Sequence, residues 1–221
     1  MTGLVRKATL FTVCALLAAG AAFASVPSPT NSSCPTCFAL VGDDGLGTID
    51  PIGEFCVEVR DLANQPINNS LVVVDFSACS NLVLCENNES GFTVDCQTQT
   101  VRGFTVNGLI CFRIKGYANN SGGNNPPYNP YNCCKIFADG VLLCQPSVAA
   151  YDMDGNGGGP ADLSAWLNDF FNGPNPSRAD YDCVGGVGPA DLSAWLAWFS
   201  AGGSTSNCPA APKTVTCGII P

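Results

Sequence analysis

The chain has 221 residues, of which 18 are acidic, 9 are basic, 14 are cysteine and none is histidine, for a net charge of −9. Without histidine there is no Ser-His-Asp or Cys-His nucleophilic machinery and no His-ligated metal site. So acidic a chain lacks the basic footprint of a nucleic-acid binder, and anionic membrane surfaces should repel it.

The first predicted element is a secretory leader over residues 1–24. Arg6 and Lys7 form a basic start, Thr9 to Phe23 is an apolar run, and Ala22-Phe23-Ala24 supplies a small-x-small cleavage site. Cleavage before Ser25 leaves about 197 residues, enough for one medium domain and a small one. It also removes Arg6 and Lys7, taking the net charge to −11. No later stretch is long and apolar enough to span a bilayer, so the expectation is a secreted, extracellular protein without membrane insertion. Loss of Cys14 with the leader leaves an odd 13 cysteines. In an exported chain these read as a disulfide framework whose pairing cannot be deduced from spacing. Cys34-Pro-Thr-Cys37 has redox-motif spacing, but no βαβ pattern surrounds it, and a structural disulfide is the expectation there.

From Phe55 to about Cys144 the pattern is β. In FCVEVRD, Phe55, Val57 and Val59 alternate with Cys56, Glu58 and Arg60, as on a strand with one wet face. LVVVDFS (71–77), NLVLCE (81–86), GFTVDC (91–96) and GLICFRIKGY (108–117) follow at short spacing. KIFADGVLL (135–143) predicts a hairpin turning at Asp139-Gly140. Frequent turns without a helical period predict an antiparallel β-sandwich over residues 25–148. The stretch VEVRDLANQPINNSLVVVDFS resembles the opening strands of bacterial immunoglobulin-like or invasin-like domains, where a strand, a D-x-x-x-x-P turn and a second strand recur. That resemblance implies an Ig-like sandwich. Residues 119–132, NNSGGNNPPYNPYN, predict an irregular loop pinned by Cys133 or Cys134. Tyr128 and Tyr131 on it are candidate stacking platforms for a glycan. Asn31, Asn68, Asn88 and Asn119 each open an N-x-S sequon.

Beyond Val148 the period changes from two to 3.6. The nonapeptide GPADLSAWL occurs at 159–167 and again at 188–196. Leu163, Trp166, Leu167 and Phe170, and again Leu192, Trp195, Leu196 and Phe199, fall at i, i+3, i+4 and i+7, predicting two amphipathic helices held together by these side chains. Asp162 and Asp191 stand third in helices opened by Pro, where a carboxylate meets the positive end of the helix dipole. DMDGNGGGPAD (152–162) and DYDCVGGVGPAD (180–191) precede or open these helices, and both resemble the calcium loop of an EF-hand. Such a loop aims alternate oxygens inward around a turn made by Gly at position 6, and an acidic residue at 12 closes the shell.

Asp152, Asp154 and Asn156 occupy positions 1, 3 and 5 of the first loop, and Asp162 closes it one residue early. Asp180, Asp182 and Asp191 occupy positions 1, 3 and 12 of the second, which has Val184 at position 5. By side-chain count the first loop is the better supplied. Two such loops about thirty residues apart, each feeding one helix and ending Asp-Leu, resemble a type I dockerin over residues 149–203, with 204–221 as a tail. The resemblance implies bound Ca2+, antiparallel helices with pseudo-twofold symmetry, and a cohesin-like or cell-surface protein as partner. Pro160-Ala161 and Pro189-Ala190 stand at the partner-contact positions 10 and 11. The function expected is non-enzymatic: an Ig-like domain with a dockerin-like Ca2+-binding module for protein–protein or cell-surface attachment. Two alternatives stay open, a glycan-binding adhesin and an accessory subunit of an extracellular polysaccharide-degrading system.

Overall fold

The computed structural model describes residues 25–79, 81–86, 89–95, 97–118, 132–173 and 176–204. The predicted leader, the loop carrying Tyr128 and Tyr131, and the tail after Ser204 lie outside the described residues. The fold is mainly β, with antiparallel sheets and helices gathered at the C-terminal end.

Leu71–Asp75 (β3) buries Val72 and Val74 and leaves alternate residues part-exposed, as the period-two pattern requires. It is the middle strand of a five-stranded antiparallel sheet. Lys135–Ala138 (β9) and Val141–Cys144 (β10) lie on one side of it, and Thr100–Phe104 (β6) and Thr93–Asp95 (β5) on the other. The β9–β10 hairpin turns at Asp139 (φ 46°) and Gly140 (φ 81°), the two positive φ angles of the predicted primed turn. Phe55–Glu58 (β2) pairs antiparallel with Leu109–Phe112 (β7), and Leu82–Leu84 (β4) with Gly116–Ala118 (β8). Their apolar faces meet those of the five-stranded sheet in one core that includes Val57, Val74, Leu84, Val101, Phe112 and Ile136.

The β structure extends past both ends of the stretch from Phe55 to Cys144 where the sequence shows a β pattern. Cys37–Leu40 (β1) and Ser147–Ala150 (β11) form a parallel pair, the one departure from antiparallel pairing among the described sheets. This pair is buried on both faces. Phe38, Leu40, Val148 and Ala150 join the main core, whereas Ala39, Val41, Ala149 and Tyr151 belong to a second cluster with Ile49, Trp195 and Trp198.

Pro160–Asn172 (α1) and Pro189–Ser200 (α3) are the two predicted helices, joined through the short helix Pro176–Ala179 (α2). Each opens on an extended Gly followed by Pro, and α1 ends on Gly173 in the left-handed conformation (φ 61°). The buried face of α1 is Asp162, Ala165, Trp166 and Asp169, while Leu167 and Phe170 remain exposed. On α3 it is Asp191, Trp195 and Trp198, with Leu196 and Phe199 exposed. Anchored carboxylates turn the helices away from the predicted stripe. Asp162 and Asp191 reach back into the loops, and Asp169 forms a buried two-bonded ion pair with Arg178 of α2, at 2.6 and 2.9 Å. The predicted Leu–Trp–Leu contact between helices is therefore replaced. Trp166 enters the main core and Trp195 the second cluster, while Leu192 packs against the first and Leu163 against the second.

Four disulfides connect described residues: Cys34–Cys144, Cys37–Cys183, Cys56–Cys111 and Cys79–Cys133. Cys34 and Cys37 thus serve two different bridges, and their motif spacing does not reflect a pairing with each other. Cys134 is a free, buried thiol, and burial holds its pKa far above the ordinary range. No helix among the described residues is long and apolar enough to cross a membrane.

Candidate metal centre

The two loops repeat one hydrogen-bonding scheme. In the first, Asp162 Oδ2 accepts from the Gly159 N–H at 2.7 Å, and its Oδ1 accepts from the Met153 N–H at 2.6 Å. In the second, Asp191 Oδ2 accepts from Gly188 at 2.8 Å, and its Oδ1 accepts from Tyr181 at 2.6 Å and Asp182 at 3.1 Å. Each carboxylate therefore caps its helix with one oxygen and ties the start of the loop with the other. One side chain thus caps the helix, as expected for a carboxylate in its first turn, and also reaches back across the loop. Gly157 (φ 85°) and Gly185 (φ 78°), both at position 6, adopt the left-handed turn that favours glycine.

This closure brings Asp152, Asp154 and Asp162 together, and likewise Asp180, Asp182 and Asp191. In each trio one oxygen per residue lies within 4.8 Å of the others. Asn156 sits exposed at the rim of the first loop and donates its N–H to Asp154 Oδ1 at 3.0 Å. Val184 occupies the matching place in the second loop, 74% exposed, with its N–H on Asp182 Oδ1 at 2.8 Å.

Asp152, Asp162, Asp180 and Asp191 are all buried. Burial, with repulsion from Asp152 and Asp154, pushes the Asp162 carboxyl up to about 7 against the hydrogen bonds that lower it. Burial, with the nearby carboxylates second, also raises Asp152 and Asp180. The donor chemistry fits a hard divalent cation. Every side-chain donor is an oxygen, negative charge is concentrated, and Asp180 Oδ1 is buried without any hydrogen-bond partner. Asp152, Asp154, Asn156 and Asp162 would hold a cation in the first loop, and Asp180, Asp182 and Asp191 in the second.

The loops are also coupled to each other. The Trp166 indole N–H on α1 donates to the carbonyl of Ala179, one residue before Asp180, at 3.3 Å. The Trp195 indole N–H on α3 donates to the carbonyl of Tyr151, one residue before Asp152, at 3.1 Å. Each helix thus holds the entrance of the other helix's loop, a reciprocal exchange across the repeat. Tyr151 and Tyr181 stack between the two entrances, with centroids 4.5 Å apart and planes 5° off parallel.

Sequence reasoning missed these supports. The duplicated Trp reads as a core residue, and nothing local reveals which carbonyl its indole will find. It also missed the role of Cys183 at loop position 4, which bridges to Cys37 at the head of β1. A cysteine between two candidate ligands was the available signal. In the first loop two glycines, Gly155 and Gly158, have a packing cause as well. A Cβ on Gly158 would come within 2.6 Å of the Trp198 ring, and one on Gly155 within 2.6 Å of Tyr117. Compared with known proteins, the chain matches no family model, no curated protein and no solved structure.

Proposed function

We propose that this is a secreted, non-enzymatic calcium-binding protein, in which an Ig-like β-sandwich carries a dockerin-like pair of loop–helix units for attachment to a protein or cell-surface partner. The observation that carries the reading is the duplicated carboxylate trio. Two clusters of three aspartates, each closed by the third residue of a helix, concentrate charge that a divalent cation offsets and that capping alone does not require. The reciprocal Trp bonds support a twofold pairing of the units. A five-stranded sheet facing the β2–β7 and β4–β8 pairs across one core supports the sandwich. The disulfide framework supports an oxidising, extracellular setting.

Calorimetric titration of the mature oxidised chain with calcium chloride tests the reading. Saturable binding and a rise in melting temperature are expected, following the linkage between ligand binding and stability. Absence of both would remove the metal and, with it, the dockerin-like attachment role.

A further inference from the structure

By side-chain count the first loop should bind better, but the hydrogen bonds reverse that order. Asp152 Oδ1 already accepts from Asp154 at 3.1 Å and Gly155 at 2.6 Å, and its Oδ2 accepts from Gly157 at 2.9 Å. Both oxygens of Asp162 are taken by backbone N–H groups, as are both oxygens of Asp191, so the loops differ at position 1. A cation entering the first loop must share an Asp152 carboxylate whose two oxygens the backbone already satisfies. In the second loop Asp180 is only 4% exposed, and its Oδ1 has no partner. A buried carboxylate oxygen without a partner is a standing penalty, and a cation relieves it only there.

Both loops are tied to the sheets by hydrogen bonds, the first through the Ala118 N–H on the Asp152 carbonyl at 2.9 Å, but only the second is also fixed covalently. Cys183 lies between Asp182 and Val184 in the left-handed region (φ 59°), which non-glycine residues seldom adopt. Its bridge to Cys37, with Cα atoms 6.0 Å apart, fastens the loop to the first residue of β1. The Tyr181 hydroxyl donates to the Ala150 carbonyl at 3.1 Å, tying the same loop to β11. Residues 151–172 contain no cysteine, so the first loop has no covalent staple.

We infer that the second loop is the tighter cation site, and that the Cys37–Cys183 bridge, by holding Asp180 and Asp182 in place beforehand, stands in for the donor missing at Val184. The inference rests on the calcium reading above. A loop whose shape is already set loses little freedom on binding, so fewer ligands suffice.

The test is a calcium titration of the full mature chain, oxidised, comparing the parent with D180N, D152N, C37S/C183S and V184D. Disulfide mapping checks that Cys34–Cys144, Cys56–Cys111 and Cys79–Cys133 remain intact in each. The parent should show a tight and a weaker phase. D180N should abolish the tight phase and D152N the weaker one. C37S/C183S should weaken the tight phase by about tenfold or more while sparing the other. V184D adds a carboxylate at position 5 and should tighten the tight phase, a gain that misfolding cannot imitate; it decides the matter if C37S/C183S fails to fold. Loss of the tight phase in D152N, tightening of only the weaker phase in V184D, or unchanged affinities in a folded C37S/C183S would overturn the inference while leaving the calcium reading intact. Absence of any binding by the parent would overturn both.

Discussion

Asp162 holds its proton in the folded, cation-free chain up to about 7, whereas its ordinary value is 3.8. The folded state therefore binds more protons than the unfolded chain across that interval, and stability without calcium falls as pH rises from about 4 to about 7. Denaturant unfolding in the presence of a chelator, run from pH 4.5 to 8, should show this decline. With saturating calcium the sign reverses, because the ionised carboxylate is the ligand and apparent affinity rises through the same interval. Trp195 offers a second residue-level test. Trp195→Phe keeps a buried ring but leaves the Tyr151 carbonyl without its donor, at a cost of about 1–3 kcal/mol. Because that carbonyl adjoins Asp152, calcium titration should show weakening at the first loop, where Asp152 lies, although the substitution is on the second helix.

At the element scale the first loop is shaped as much by its neighbours as by any ion. Gly158→Ala would drive a methyl group into the Trp198 ring and should destabilise the fold by about 1–3 kcal/mol, read as a lowered melting temperature. The elements differ in how legible they were. The strands around Phe55–Glu58 and Leu71–Asp75 and the hairpin at Asp139-Gly140 could be read directly, because alternation and turn chemistry are local properties. The strands Cys37–Leu40 and Ser147–Ala150 could not. Both are four residues long and buried on both faces, and each depends on a parallel partner far away in the chain. The helices were found, but their buried face was not, since the period of Leu and Trp says nothing of carboxylates anchored at Asp162, Asp169 and Asp191. Both aspartate trios were visible from loop spacing. The Trp-to-carbonyl exchange and the Cys37–Cys183 bridge were not, because each links residues that only the fold brings together.

At the scale of the whole molecule, the loop–helix units are bound into the β structure. Trp166 sits in the same core as Val74 and Phe112, Trp195 packs behind the β1–β11 pair, and Cys37–Cys183 spans 146 residues of chain. A cation at either trio would therefore stabilise a structure that continues into the sheets, and under the proposed function calcium would hold the protein together as well as present the helices. If the two trios are calcium sites, as proposed, the metal can be counted. Mature oxidised protein would be dialysed against calcium with excess magnesium and its metal content measured by mass spectrometry, beside a D162N/D191N variant. Calcium should be retained by the parent and lost from the variant. A parent that retains none, or a variant that retains as much as the parent, would contradict it.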